Sequence, residues 1–187
     1  NAGKHKGLDD KRGVLFLEII RLMNVGKPKI VVLENVSGLK SHDNGQTFRI
    51  ICEHVENEGY TIHYKVLKCS DYGLPQMRKR LFMVCVRNDI KHDIDIFDLK
   101  EYEKEMTLSE YLNKNFQKKH AYTIRCGGAR SPITSKQNWD GYFVDDKEYR
   151  LTIPDAKKLQ GFDENFYLSD SKKNAWRYLG NTIPTRF

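Results

Sequence analysis

The sequence predicts an α/β fold: part of a doubly wound sheet, together with a small loop-rich lobe. Three observations carry this. Short apolar runs at 29–33, 60–67 and 80–86 read as strands. Stretches with apolar residues at helical spacing, 14–25 and 46–58, alternate with the first two runs. After Asn88 the composition shifts to charged and glycine-containing segments with little periodicity.

Residues 1–13 mix Gly3, Gly7 and Gly13 with Lys4, Lys6, Lys11 and Arg12, which reads as a basic loop. Val14, Leu15, Ile19, Leu22 and Met23 then give a helix that Gly26 closes. Lys29-Ile-Val-Val-Leu33 is a short buried strand, and Glu34 stands where it stops. His42 to Gly45 is a turn. Phe48, Ile51, Cys52 and Val55 line a second helix, closed by Gly59. Alternation makes 60–67 a strand, Tyr72 to Pro75 a turn, and 80–86 a strand too apolar to face water. A helix between the first two strands predicts parallel neighbours. The dozen residues before the third strand permit an antiparallel pair. Three strands make a small sheet for this architecture, so more are expected on the N-terminal side.

Residues 98–149 read as a separate lobe. Thr107 and Glu110 form a capping box there, Gly127-Gly128 marks a loop, and Trp139 is assigned to the core. Short helices follow at 153–160, with Pro154 in the first turn, and at 170–178. The predicted domains are 1–97, 98–149, and a return to the first over 150–187.

The charge is +7, from 32 Lys+Arg against 25 Asp+Glu, which fits a polyanionic partner. No stretch approaches the roughly 18 apolar residues of a membrane span, and residues 1–12 hold no apolar signal-peptide segment. The four cysteines form no CxxC pair, so no metal site is expected and a reducing compartment is the simplest reading. Cys52 and Cys85 fall on apolar faces and read as buried; Cys69 and Cys126 lie near turns and read as more exposed.

Ligand chemistry in open α/β sheets collects at the carboxyl ends of strands. Glu34 is either a group that binds or moves protons there, or a solvated acid. Strand alternation puts Gln76, Arg78 and Arg80 on one face. Two guanidiniums there offer forked hydrogen bonds to a base carbonyl, phosphate or carboxylate, or simply keep a sheet edge soluble.

Five segments, in order, resemble the later part of the C5-cytosine DNA methyltransferases. Ala2-Gly-Lys4 with Asp10-Lys-Arg-Gly13 resembles the active-site loop and the helix start after it. Pro28 to Val36, with Gly38-Leu39, resembles the Glu-Asn-Val segment. Asp71-Tyr-Gly-Leu-Pro-Gln-Met-Arg-Lys-Arg80 resembles the QxRxR segment. Arg150-Leu-Thr152 with Leu159-Gln-Gly-Phe162 resembles the segment after the target-recognition lobe, and Gly180-Asn-Thr-Ile183 the terminal Gly-Asn motif.

The resemblance implies a Rossmann-like, S-adenosylmethionine-dependent methyltransferase fold with a target-recognition lobe. It also implies methyl transfer to C5 of a flipped cytosine in duplex DNA, with S-adenosylhomocysteine as product. Glu34 would meet N3 and the 4-amino group, and Arg80 the base O2. Arg78 joins them in the catalytic set by supporting the loop or the carboxylate. Asn181 and Thr182 inherit a cofactor role, beside the plainer reading of a helix C-cap at Gly180-Asn181. Lys4, Lys6 and Arg12 would contact phosphate. Arg125, Gly127, Gly128 and Arg130 would face DNA, or form a solvated hairpin. The family's Pro-Cys nucleophile and glycine-rich cofactor loop would precede Asn1, so the 187 residues are expected to be an excised portion, inactive alone. The implied parent is a monomeric, metal-free bacterial enzyme of the cytoplasm, belonging to a restriction-modification system. A non-catalytic DNA-binding subunit and a transfer-RNA cytosine methyltransferase are the other readings.

Overall fold

The computed structural model describes residues 11–92, 95–127 and 129–187, the side chains of 11–14 excepted. Lys4, Lys6, Gly128 and the side chain of Arg12 therefore lie outside the described residues. The chain divides into two compact units: residues up to Leu67 with Lys79–Leu99, and Lys68–Arg78 with Lys100–Phe187. The second takes in the predicted lobe, 98–149, from Lys100 onward, together with the predicted return segment, 150–187.

In the first unit, α1 (Lys11–Gly26) begins three residues before the predicted start, with Gly13 tolerated in its first turn. Strand β1 (Ile30–Val36) runs past Leu33, so Glu34 lies inside it and not after it. Helix α2 (Gln46–Asn57) ends before Gly59, whose φ of 82° is a left-handed conformation suited to glycine. Strands β2 (Tyr60–Lys68) and β3 (Lys79–Arg87) complete the sheet.

The strand order is β1-β3-β2, which corrects the expectation that β1 and β2 are neighbours. β3 lies between them and pairs antiparallel with β1, Glu34 opposite Phe82 and Val36 opposite Arg80. The reason lies in β3 itself. Leu81, Met83, Cys85 and Val86 are all buried, and a strand that apolar gains most in the middle of a sheet. Ile20 and Met23 of α1 pack with Val55 and Cys85, while Phe48 and Ile51 of α2 cover Leu81 and Met83.

The second unit is built on Leu108, Leu112, Phe116, Trp139, Tyr142, Leu159 and Leu179, so Trp139 is a core residue. Helix α3 (Leu108–Leu112) has the capping box expected of Thr107 and Glu110. Hydrogen bonds from Lys104 and Thr107 pull the Glu110 carboxyl down to about 2. Strands β4 (Gly141–Val144) and β5 (Lys147–Arg150) form an antiparallel hairpin. Asp145 and Asp146 turn it at φ 47° and 59°, the pair of left-handed residues that a two-residue hairpin loop requires. Helix α4 (Ile153–Leu159) and helix α5 (Lys172–Asn181) follow, the latter capped by Ser171.

Asp155 closes a second capping box, with Thr152. Burial works to raise its pKa, but hydrogen bonds from Tyr149 and Thr152 and the charge of Lys114 outweigh it, so the carboxyl titrates below its usual value. A depressed folded-state pKa contributes stability above the ordinary value of 3.8 and loses it as pH falls through the lower folded one. Asp155→Asn is expected to cost about 1 kcal/mol at neutral pH and to flatten this acid dependence, read from melting temperature against pH.

Among the described residues no helix is long and apolar enough to cross a membrane, and no three His, Cys, Asp or Glu side chains cluster as a metal site would need.

Candidate active site and recognition loop

In the first unit, Arg80 Nε lies 2.7 Å from Glu34 Oε1. The antiparallel register explains it. Glu34 is opposite Phe82, so Arg80, two residues along β3, is its diagonal neighbour on the same face. The two side chains are only 25% and 14% exposed, so the pair is screened yet reachable from solvent. Arg80 Nη1 also donates to Lys79 O at 2.9 Å, which fixes the plane of the guanidinium. A carboxylate and an arginine held side by side can meet the proton-bearing edge and the carbonyl of one planar ring together.

Gln76 and Arg78 do not continue this face, because β3 begins only at Lys79. Both are fully buried, in the second unit. Arg78 Nη1 donates to Ile124 O at 3.0 Å, and Nη2 to Gly180 O at 3.1 Å and Thr182 O at 2.6 Å. Its fork is thus committed to backbone carbonyls, the loop-supporting side of its predicted role. Gln76 Nε2 donates to Leu159 O at 2.9 Å, and its Oε1 accepts from Ile124 N at 3.1 Å. Gln160, also fully buried, donates from Nε2 to Leu179 O. Sequence reasoning missed Gln160. The available signal was a neutral polar residue between Leu159 and Gly161, an odd choice for a solvated helix end.

Arg125, Gly127 and Arg130 are exposed, as residues that face a ligand must be. The loop they form is tied down: Trp139 Nε1 donates to Gly127 O at 2.9 Å, and Arg130 N donates to Asp140. Arg150 Nη1 bonds both Asp140 Oδ1, at 3.1 Å, and Ser131 O, at 2.8 Å. At the end of α5, Asn181 is exposed and Thr182 is the C-cap residue, its N–H donating to Tyr178 O at 2.9 Å. Gly180 sits in the last helical turn without a positive φ, so left-handed capping does not explain it. Close approach does: a Cβ there would lie 2.2 Å from Cys126 N and 2.4 Å from Arg125 C.

Of the cysteines, Cys85 is buried as expected and Cys126 exposed, while Cys52 is half-buried. Cys69 corrects the expectation; its short 3₁₀ turn, Cys69–Tyr72, carries the thiol inward. Burial pushes the Cys85 thiol up to about 11 and raises Cys52 as well. Neither is suited to act as a thiolate.

The model of the C-5 cytosine-specific DNA methylase family matches residues 1–127. The chain is 32% identical to the Type II methyltransferase M.NlaX of Neisseria lactamica, over 97% of this chain and 67% of that protein. It is 29% identical to M.HhaI of Haemophilus parahaemolyticus, with the same coverage of each. The chain therefore spans about two thirds of the length of these relatives. In fold it is similar to the crystal structure of S. pombe Dnmt2 methyltransferase, with a TM-score of 0.64 at 18% identity, covering 98% of this chain and 70% of that one. The α/β architecture is thus that of the methyltransferases, and the chain belongs to the C-5 cytosine-specific DNA methylase family.

Proposed function

We propose that these residues form the base-holding and target-reading part of an enzyme that methylates C5 of a cytosine flipped out of a specific duplex DNA site. The Glu34–Arg80 pair, at 2.7 Å on one sheet face, carries the reading. Cytosine C5 is a poor nucleophile until a thiolate adds to C6 and negative charge develops on the ring. Glu34 holds a proton at the N3 and 4-amino edge, and Arg80 stabilises the charge that gathers at O2. The base must leave the stack to reach both. S-adenosylmethionine, when bound, supplies the electrophilic methyl group. The exposed Asn181 carboxamide and the Thr182 hydroxyl fit a polar cofactor wall, since the inward carbonyls of Gly180 and Thr182 are already taken by Arg78. Lys4, Lys6 and Arg12 supply phosphate contacts. Arg125, Gly127, Gly128 and Arg130 meet the duplex, where either arginine can read guanine.

The attacking thiolate comes from a Pro-Cys segment, and none of Cys52, Cys69, Cys85 or Cys126 follows a proline. The 187 residues alone are expected to transfer no labelled methyl group to mixed-sequence DNA, whereas the complete enzyme, these residues with a Pro-Cys segment, is expected to do so. Turnover by the 187 residues alone contradicts the proposed division of labour, and a complete enzyme that methylates only transfer RNA contradicts the proposed substrate.

A further inference from the structure

The buried polar side chains of the second unit join two segments with different proposed tasks. Gln76, Arg78 and Gln160 are each fully buried. Ile124, at the root of the recognition loop, is held at both backbone polar atoms: its N–H by Gln76 Oε1 at 3.1 Å and its C=O by Arg78 Nη1 at 3.0 Å. The same Arg78 holds Gly180 O and Thr182 O in the terminal segment. Gln160 closes the ring by donating to Leu179 O, and Gln76 Nε2 lies 3.3 Å from Gln160 Oε1. The two segments also touch directly. The space a Gly180 side chain would need is occupied by the Arg125 and Cys126 backbone.

Side chains this buried have no solvent to fall back on. A shift of Ile124 that lengthens its bond to Arg78 either drags the guanidinium or leaves a buried carbonyl unpaired, and dragging it moves Gly180 and Thr182. We propose that Gln76, Arg78 and Gln160 are positioning residues that make the recognition loop and the Gly180–Thr182 segment one mechanical element. Seating the correct DNA sequence and seating the cofactor are then linked, each tightening the other by the same factor. This rests on the proposed DNA and cofactor roles of those segments.

The test uses the complete enzyme, with S-adenosylhomocysteine as the cofactor-site probe and matched cognate and single-mismatch duplexes. In the wild type, saturating S-adenosylhomocysteine is expected to tighten the cognate duplex by about tenfold more than the mismatched one, with the reciprocal effect on its own affinity. Gly180→Ala, whose added Cβ presses on the Arg125 and Cys126 backbone, is expected to lower sequence discrimination on the DNA side and S-adenosylhomocysteine affinity together. Gln160→Met keeps the side-chain volume and removes the bond to Leu179 O. It serves as the milder variant if Gly180→Ala does not fold, and is expected to shrink the linkage while the melting transition stays cooperative. Independent binding of the two ligands by an active wild-type enzyme overturns the coupling alone, as does unchanged DNA discrimination in a folded Gly180→Ala or Gln160→Met enzyme. A wild-type enzyme that methylates no cytosine overturns the functional reading beneath it.

Discussion

Glu34→Gln, made in the complete enzyme, is expected to lower single-turnover methyl transfer to cytosine by about 10²–10⁴-fold, the range for losing one positioned proton-transfer group. The amide keeps the size of the side chain and its acceptor oxygen, so contact with the 4-amino group survives. What it loses is the ability to share a proton with N3 as charge builds on the ring. It also loses its ion pair with Arg80, now 2.7 Å away. That loss costs little stability, because the pair is partly solvated and such bridges contribute on the order of 0–1 kcal/mol. The expected signature is a collapsed rate with duplex affinity and melting temperature close to wild type. A full-rate Glu34→Gln enzyme contradicts the role assigned to the residue.

Arg78→Met is expected to act in the opposite way, on stability first. The guanidinium is fully buried and satisfies the carbonyls of Ile124, Gly180 and Thr182. Methionine roughly fills the volume but leaves three acceptors without their donor. Hydrogen bonds to charged groups contribute about 1.5–3 kcal/mol each, and partial relaxation recovers some of the sum, so a loss of about 3–5 kcal/mol is expected. For a protein of this size that lowers the melting temperature by roughly 6–20 °C. Thermal denaturation followed by far-ultraviolet circular dichroism checks it; an unshifted transition contradicts the buried role. Arg78→Lys is expected to lie between, since one ammonium cannot reproduce a fork aimed at three carbonyls.

The parts legible in the sequence were those written in short-range pattern. Phe48, Ile51 and Val55 announced α2, and Gly59 its end. Thr107 with Glu110 announced the start of α3, because a capping box needs only four residues. Strand order was not legible. The helix between the first two strands suggested neighbours, but the apolar content of β3 placed it between them, a choice made by long-range packing. The QxRxR alternation failed for a related reason: the regular strand begins at Lys79, so the face that holds Arg80 does not extend back to Arg78 and Gln76. Glu34 and Arg80 were each singled out from the sequence, whereas their 2.7 Å contact depends on the antiparallel register, which no local pattern encodes. Gln160 carried only the faint signal of its neighbours, because its hydrogen-bond partners, Gln76 and Leu179, lie in other segments.

The central claim is that the two arginines of the QxRxR segment have divided tasks: Arg80 meets the base beside Glu34, and Arg78 holds the backbone. The most direct measurement pairs single-turnover methyl-transfer rate with melting temperature for Arg80→Ala and Arg78→Lys in the complete enzyme. The expected result is a rate about 10²-fold lower for Arg80→Ala with an unshifted melting temperature, and a clearly lowered melting temperature for Arg78→Lys. A full-rate Arg80→Ala enzyme, or an Arg78→Lys enzyme that melts as the wild type does while losing its chemistry, contradicts the division.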